Sequence, residues 1–307
     1  MGLFDRVRDL FGSGGDDRAG TMDDEETQRY PTSGVDETSG QDDGGEAAPP
    51  HGDVEGRGRS GVNAPAEGQK SGSHGSHWDT VVHGDDAIMQ SLMGTIETGE
   101  STPGRTVGDE HVLGYRAGSG PLGTVALVSE AGELWSGYPV GAGIGHEVVI
   151  DGMLPWANGA EAQLSGDLGD ATVSFFATNY WAHEDGHFGG PRQVELAAFA
   201  YDLNPAEAET ITDEEGNEFS TAGMAAFVPF DGGDVDDYIF QTHVETVTTC
   251  EFDGTTVYRL RVPLFVDPDG GEYHIMLYAA EHVCDGYVPE KGDDVEGVFW
   301  LQGRVEG

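Results

Sequence analysis

The chain has 307 residues, 57 of them acidic against 14 basic, for a formal net charge of -43. Residues 1–75 hold 16 of the acidic and 7 of the basic residues, so the remainder still carries a net charge of -34 and is no neutral domain with an acidic tail. A carboxylate surface of this kind excludes broad, sequence-independent binding to phosphate backbones. Two cysteines, Cys250 and Cys284, exclude a disulfide framework, and no run approaches the roughly 18 apolar residues of a membrane-spanning helix.

In chain order, the first element is GLFDRVRDLF (2–11), where Leu3, Phe4, Val7, Leu10 and Phe11 recur at the helical period and Gly12 ends the pattern. A helix this short is unstable alone in water and orders only against something else: a membrane surface, a partner groove or the chain's own domain. Residues 1–12 are therefore expected to form an amphipathic docking helix for a protein partner or a membrane surface. The charges of Asp5, Arg6, Arg8 and Asp9 cancel, so the basic face of a strong membrane anchor is missing.

Residues 13–77 are dominated by Gly, Ser, Asp, Glu, Pro and Thr and hold too few large apolar side chains to offset ordering entropy, so they are expected to be a disordered acidic linker. His74 and His77 in SGSHGSHWD, with His83 after them, read as solvent-exposed linker histidines, because no cysteine or carboxylate beside them completes a ligand set.

The spacing of Ile88, Met89, Leu92, Met93 and Ile96 predicts one short helix over 85–97, capped by Asp85 or Asp86, with its apolar stripe packed on a sheet. From about residue 111 the signals are strands and turns. LGTVALVS (122–129), HEVVID (146–151), AEAQLSGD (160–167), ATVSFFATNYW (171–181) and QVELAAFAYDL (193–203) are strand candidates, the last with Val194, Leu196, Ala198 and Ala200 on one face. DYIFQTHVETVTTCEF (237–252) meets TTVYRLRVPLFVD (255–267) at Asp253-Gly254, a hairpin signal, and Tyr258, Leu260, Val262, Leu264 and Val266 share a face of the second run. DPDGGE (267–272) offers oxygen ligands but has the chemistry of a turn. EYHIMLYAA (272–280) and GDDVEGVFWLQGRV (292–305) follow, with Gly297 and Gly303 read as bends or bulges. Together these predict an all-β domain over residues 78–307, a small barrel or barrel-like sheet with one short helix.

The sharpest chemical motif is His183-Glu184-Asp185-Gly186-His187, which fits H-E-x-x-H. In metal-dependent hydrolases the motif works because a helix sets both histidines on one face as zinc ligands, with the glutamate as general base. Here Gly186 lies inside it and Phe188-Gly189-Gly190-Pro191 follows, which favours a connection between strands over a helix. GAGIGH (141–146) lacks the lysine and the strand-helix setting of a phosphate loop, and no GxSxG occurs. A third possibility is single-stranded nucleic acid stacked on an aromatic barrel face through Trp300, with Arg259, Arg261 and Arg304 as cations; these arginines serve equally as partners for the abundant carboxylates.

Two resemblances add to this. The composition of the whole chain resembles that of proteins from extreme halophiles, notably haloarchaea, where molar salt shortens the Debye length to roughly 3 Å and screens self-repulsion. The phrases FFATNYW, AAFAY, DDYIFQTHV and GDDVEGVFWLQGRV, over about 146–305, are similar to a poorly characterised group of prokaryotic β-barrel proteins. That resemblance implies a barrel of the oligomer-binding kind and no activity. The expectation is thus a non-catalytic binding or adaptor protein without cofactor, cytoplasmic or peripheral to the membrane, with a metal-dependent hydrolase and a single-strand binder as alternatives.

Overall fold

The computed structural model describes residues 74–306 apart from 119, 184–187 and 213–217. It opens with a single helical turn, α1 (Gly75–Trp78), followed by α2 (Asp85–Thr98) and sixteen strands. Strands β1 (Glu100–Val107), β2 (Glu110–Ala117), β3 (Leu122–Ser129) and β4 (Leu134–Gly141) form an antiparallel meander. Ala142 and Gly143 then carry the chain into a ten-stranded sheet that closes on itself.

The closed part is a five-stranded barrel of β5 (Ile144–Pro155), β6 (Ala162–Leu168), β7 (Ala171–Ala177), β16 (Asp294–Val305) and β8 (Gly190–Pro205). β5, β6 and β7 are consecutive antiparallel neighbours; β7 pairs in parallel with β16, and β8 closes the ring against β16 and β5. β8 and β16 are long enough to fork. β8 pairs with β5 over 190–196 and with β15 (Glu272–Ala280) over 197–199. β16 likewise leaves β7 for β12 (Asp237–His243). Beyond the barrel the same sheet continues through β12 to β11 (Ala226–Pro229) on one side and through β15 to β14 (Thr255–Val266) and β13 (Thr246–Phe252) on the other, with β9 (Thr210–Thr212) and β10 (Glu218–Ser220) as a separate ribbon.

Two apolar cores result. The first fills the barrel and its extension, where Val194, Leu196, Ala198 and Ala200 of β8 all point inward as their alternation predicts. The second lies between the meander and the outer barrel face and includes Trp78, Val125, Leu127, Tyr138, Phe176, Phe199, Tyr278 and Trp300. β3 is buried along its whole length: α2 packs on it, with Ser91 bonded to Thr124, and its Val125 and Leu127 enter the core shared with Phe176, Phe199 and Trp300.

Several expectations change. α2 is capped by Gly84 without a side-chain bond, and Asp85 and Asp86 fall in its first turn, where they favour the helix dipole. Only Leu92 of the expected stripe is buried; Met89 and Met93 lie one position round the helix from Ile88 and Leu92 and are about half exposed. The run 237–252 is two strands, β12 and β13, broken where Val244 turns to pair with Gly292 and Asp293. A bulge between Pro263 and Phe265 reverses the alternation of β14, so Phe265 is buried and Val266 exposed. Gly303 makes no bend: a Cβ there would run into the Phe175 ring.

Candidate functional site

The most concentrated polar chemistry lies where the N-terminal segment meets the outer barrel face. His74 and His77, expected in solvent, are 3% and 2% exposed. His77 in α1 and His74 just before it lie on the face made by β6, β7 and β16. The His74 ring packs on Trp156 (centroids 4.7 Å apart) and Phe176 (4.8 Å), and the His77 ring stacks flat on Trp300 (3.8 Å, planes 2° apart). Nδ1 of His74 and Nδ1 of His77 are hydrogen-bonded at 2.7 Å, and Nε2 of His74 lies 2.7 Å from Glu161 Oε1. Trp78 follows, donating its indole N–H to the Gly137 carbonyl at 2.9 Å.

Glu161, itself 1% exposed, also accepts from Ser136 Oγ (2.9 Å) and from the Asn158 amide, while Asn158 Oδ1 accepts the backbone N–H groups of Ala160 and Glu161. On the other side of Trp300, Asp236 accepts from the indole Nε1 (3.1 Å) and from Gln163 Nε2 (2.7 Å). Burial, reinforced by the Asp237 charge, pushes the Asp236 carboxyl up to about 7. Tyr201 donates to Asp237 Oδ1 (2.9 Å), and burial first, then Asp237, push its phenol far above its usual range. His74, His77, Glu161 and Asp236 thus form a buried polar seam with their hydrogen-bonding directions turned inward. It holds the segment against the barrel.

The residues singled out in the sequence are scattered. Leu3, Phe4, Val7, Leu10 and Phe11 lie outside the described residues, as do Glu184 and His187. His183 follows a short 3-10 turn with extended backbone (φ -108°, ψ 99°), so the helix that H-E-x-x-H chemistry requires is not formed at its first residue. Its Nε2 lies 3.0 Å from Asn179 Nδ2, and burial, then Arg192, lowers its pKa. Trp300 is fully buried beneath His77, which corrects its placement on an open stacking face. The arginines lie against carboxylates or core groups: Arg261 pairs with Glu245, Arg304 lies 3.5 Å from Glu195, and Arg259 lies beside Tyr278. Cys284 is buried and Cys250 half-buried, both as free thiols.

Among the described residues, one group has the separations a metal ion needs: Glu245, Glu272 and His274. Sequence reasoning missed it because Glu245 lies 29 residues from His274 and was read as the middle of a continuous strand. The only trace was the run of oxygen donors in DPDGGE, which ends at Glu272. Comparison with known proteins finds no matching family, no matching curated protein and no matching solved structure.

Proposed function

We propose that the protein is a non-catalytic binding or adaptor protein, in which the β domain anchors the 73 residues before His74 and those residues carry the docking sequence. The observation that carries this reading is the sealing of His74, His77, Trp78, Val81 and Val82 against the barrel and meander, each 3% exposed or less. A segment held this firmly fixes the point from which residues 1–73 depart. Five-stranded barrels of the oligomer-binding kind take ligands on the outer face of their second and third strands and the adjoining loops. On that reading the corresponding strands are β6 and β7, whose outer face is filled by the chain's own His74 against Phe176. Self-occupation of that face argues for recognition elsewhere, and Leu3, Phe4, Val7, Leu10 and Phe11 are the apolar set available for it.

The test is a paired pull-down and membrane flotation from native cells at molar salt, using the full chain and a chain lacking residues 1–12. Loss of bound protein or of the membrane fraction on deletion is expected. Identical partners and identical flotation would remove the docking role. Quenching of tryptophan fluorescence by an oligonucleotide in the same salt would revive the single-strand alternative.

A further inference from the structure

We propose that Glu245, Glu272 and His274 bind one divalent transition-metal ion of the zinc type. Glu272 and His274 are two apart on β15 and therefore share a face of the strand. Glu245 comes to the same face from the start of β13: its N–H donates to the Arg261 carbonyl of β14 (3.0 Å), and His274 is in register with Pro263 two residues along β14. His274 Nε2 lies 3.0 Å from Glu245 Oε1 and 3.5 Å from Glu272 Oε2, and the three donor atoms lie within 4.8 Å of one another. Metal–ligand bonds of roughly 2.0–2.2 Å at tetrahedral or octahedral angles set neighbouring donors about 3–3.6 Å apart. The two shorter separations already match an ion seated between the three side chains.

The surroundings differ from those of a chance cluster of surface acids. His274 is 9% exposed, and its backbone carbonyl is 2.7 Å from His146 Nε2. The second oxygen of Glu245 is held by Arg261, which orients the carboxylate and leaves Oε1 directed at the imidazole, as outer partners of metal ligands do. Glu272 is about half exposed and supplies the open side through which an ion and its remaining waters arrive. Two carboxylates beside one guanidinium leave a net negative site for a dication. Imidazole in the donor set favours zinc over magnesium, calcium and manganese, which prefer oxygen ligands. In this arrangement Nε2 is the His274 nitrogen that would face the ion. The ion would tie the start of β13 to the start of β15 across β14.

Isothermal titration of the untagged, chelator-stripped full chain with zinc chloride in molar potassium chloride tests the site. About one equivalent per chain is expected, with affinity falling roughly tenfold or more in Glu272→Gln and in His274→Ala and unchanged in His183→Ala. Glu272 is exposed enough that its substitution leaves the fold intact, and a thermal midpoint equal to that of the metal-free parent verifies this. Well under one equivalent, or binding that Glu272→Gln leaves unaltered, overturns the proposal. So does loss of binding in His183→Ala with Glu272→Gln unaffected, which would return the metal to the H-E-x-x-H segment.

Discussion

The imidazole of His77 lies flat on the indole of Trp300, ring centroids 3.8 Å apart and planes 2° from parallel, joining the first described helical turn to the last strand of the barrel. This contact makes the N-terminal segment part of the core. A chain beginning at residue 74 is expected to melt within a few degrees of the full chain. A chain beginning at Gly84 loses His74, His77, Trp78, Val81 and Val82, all buried. At about 1.5–3 kcal/mol for each large apolar side chain, the loss is comparable to the whole stability of a typical domain. Calorimetry of the two truncations decides it: equal midpoints would show that the plug is ornamental.

Trp300 also holds Asp236, because its Nε1 donates to Asp236 Oδ2. Trp300→Phe keeps a ring under His77 and removes that donor. The variant is expected to lose about 1–3 kcal/mol from the under-solvated carboxylate, with a smaller further loss from the space left by the indole. Urea unfolding followed by circular dichroism measures it, and a variant as stable as the parent would show that Gln163 alone satisfies Asp236.

The same carboxylate gives a pH dependence of defined sign. Its folded pKa is raised from 3.8 to about 7, chiefly by burial, so between these values the folded state binds a proton that the unfolded state has released. Stability therefore falls as pH rises through this window; the contribution is complete below about pH 4 and gone above about pH 7. Asp236→Asn removes the titration at the expense of one hydrogen bond, since the amide cannot accept from both Gln163 and Trp300. The difference in unfolding free energy between parent and variant is expected to narrow as pH rises from 5 to 8. A constant difference would place the charge outside the folding equilibrium.

What was legible in the sequence is what local patterns dictate. The alternation of Val194, Leu196, Ala198 and Ala200 specifies a strand with one buried face, and those residues line the barrel. Asp253-Gly254 specifies a tight hairpin, and both residues take the positive φ, 47° and 83°, that such a turn demands. The site was illegible because its parts meet only in three dimensions. His74 finds Glu161 across 87 positions, and Glu245 finds His274 across 29. No periodicity in a Gly- and Ser-rich segment announces that its histidines will stack on a tryptophan near the far end of the chain.

Gly114 in β2 offers a test of how tightly the meander packs. A Cβ at this position would overlap the ring of Trp181, which is itself 6% exposed. Gly114→Ala is expected to cost about 1–3 kcal/mol by forcing the indole off its rotamer, whereas Gly145→Ala, with open space at its Cβ, is expected to change little. Thermal melts of both variants check the contrast; equal midpoints would mean that Trp181 has room to give.

The surface makes the most general demand. With a formal net charge of -43 and only 14 basic residues, most carboxylates have no cationic partner on the chain. Among the described residues, Arg261 pairs with Glu245 and Arg304 with Glu195. Repulsion among exposed like charges is screened over roughly 10 Å at 0.1 M salt and roughly 3 Å at 1 M, so raising ionic strength should favour the compact state progressively. The thermal midpoint is expected to climb through several additions of potassium chloride up to molar concentrations, with sodium chloride acting similarly at equal ionic strength. A midpoint independent of salt over that range would mean that the carboxylates are spaced or hydrated well enough not to oppose folding, and the halophilic interpretation of the composition would then lack a physical basis.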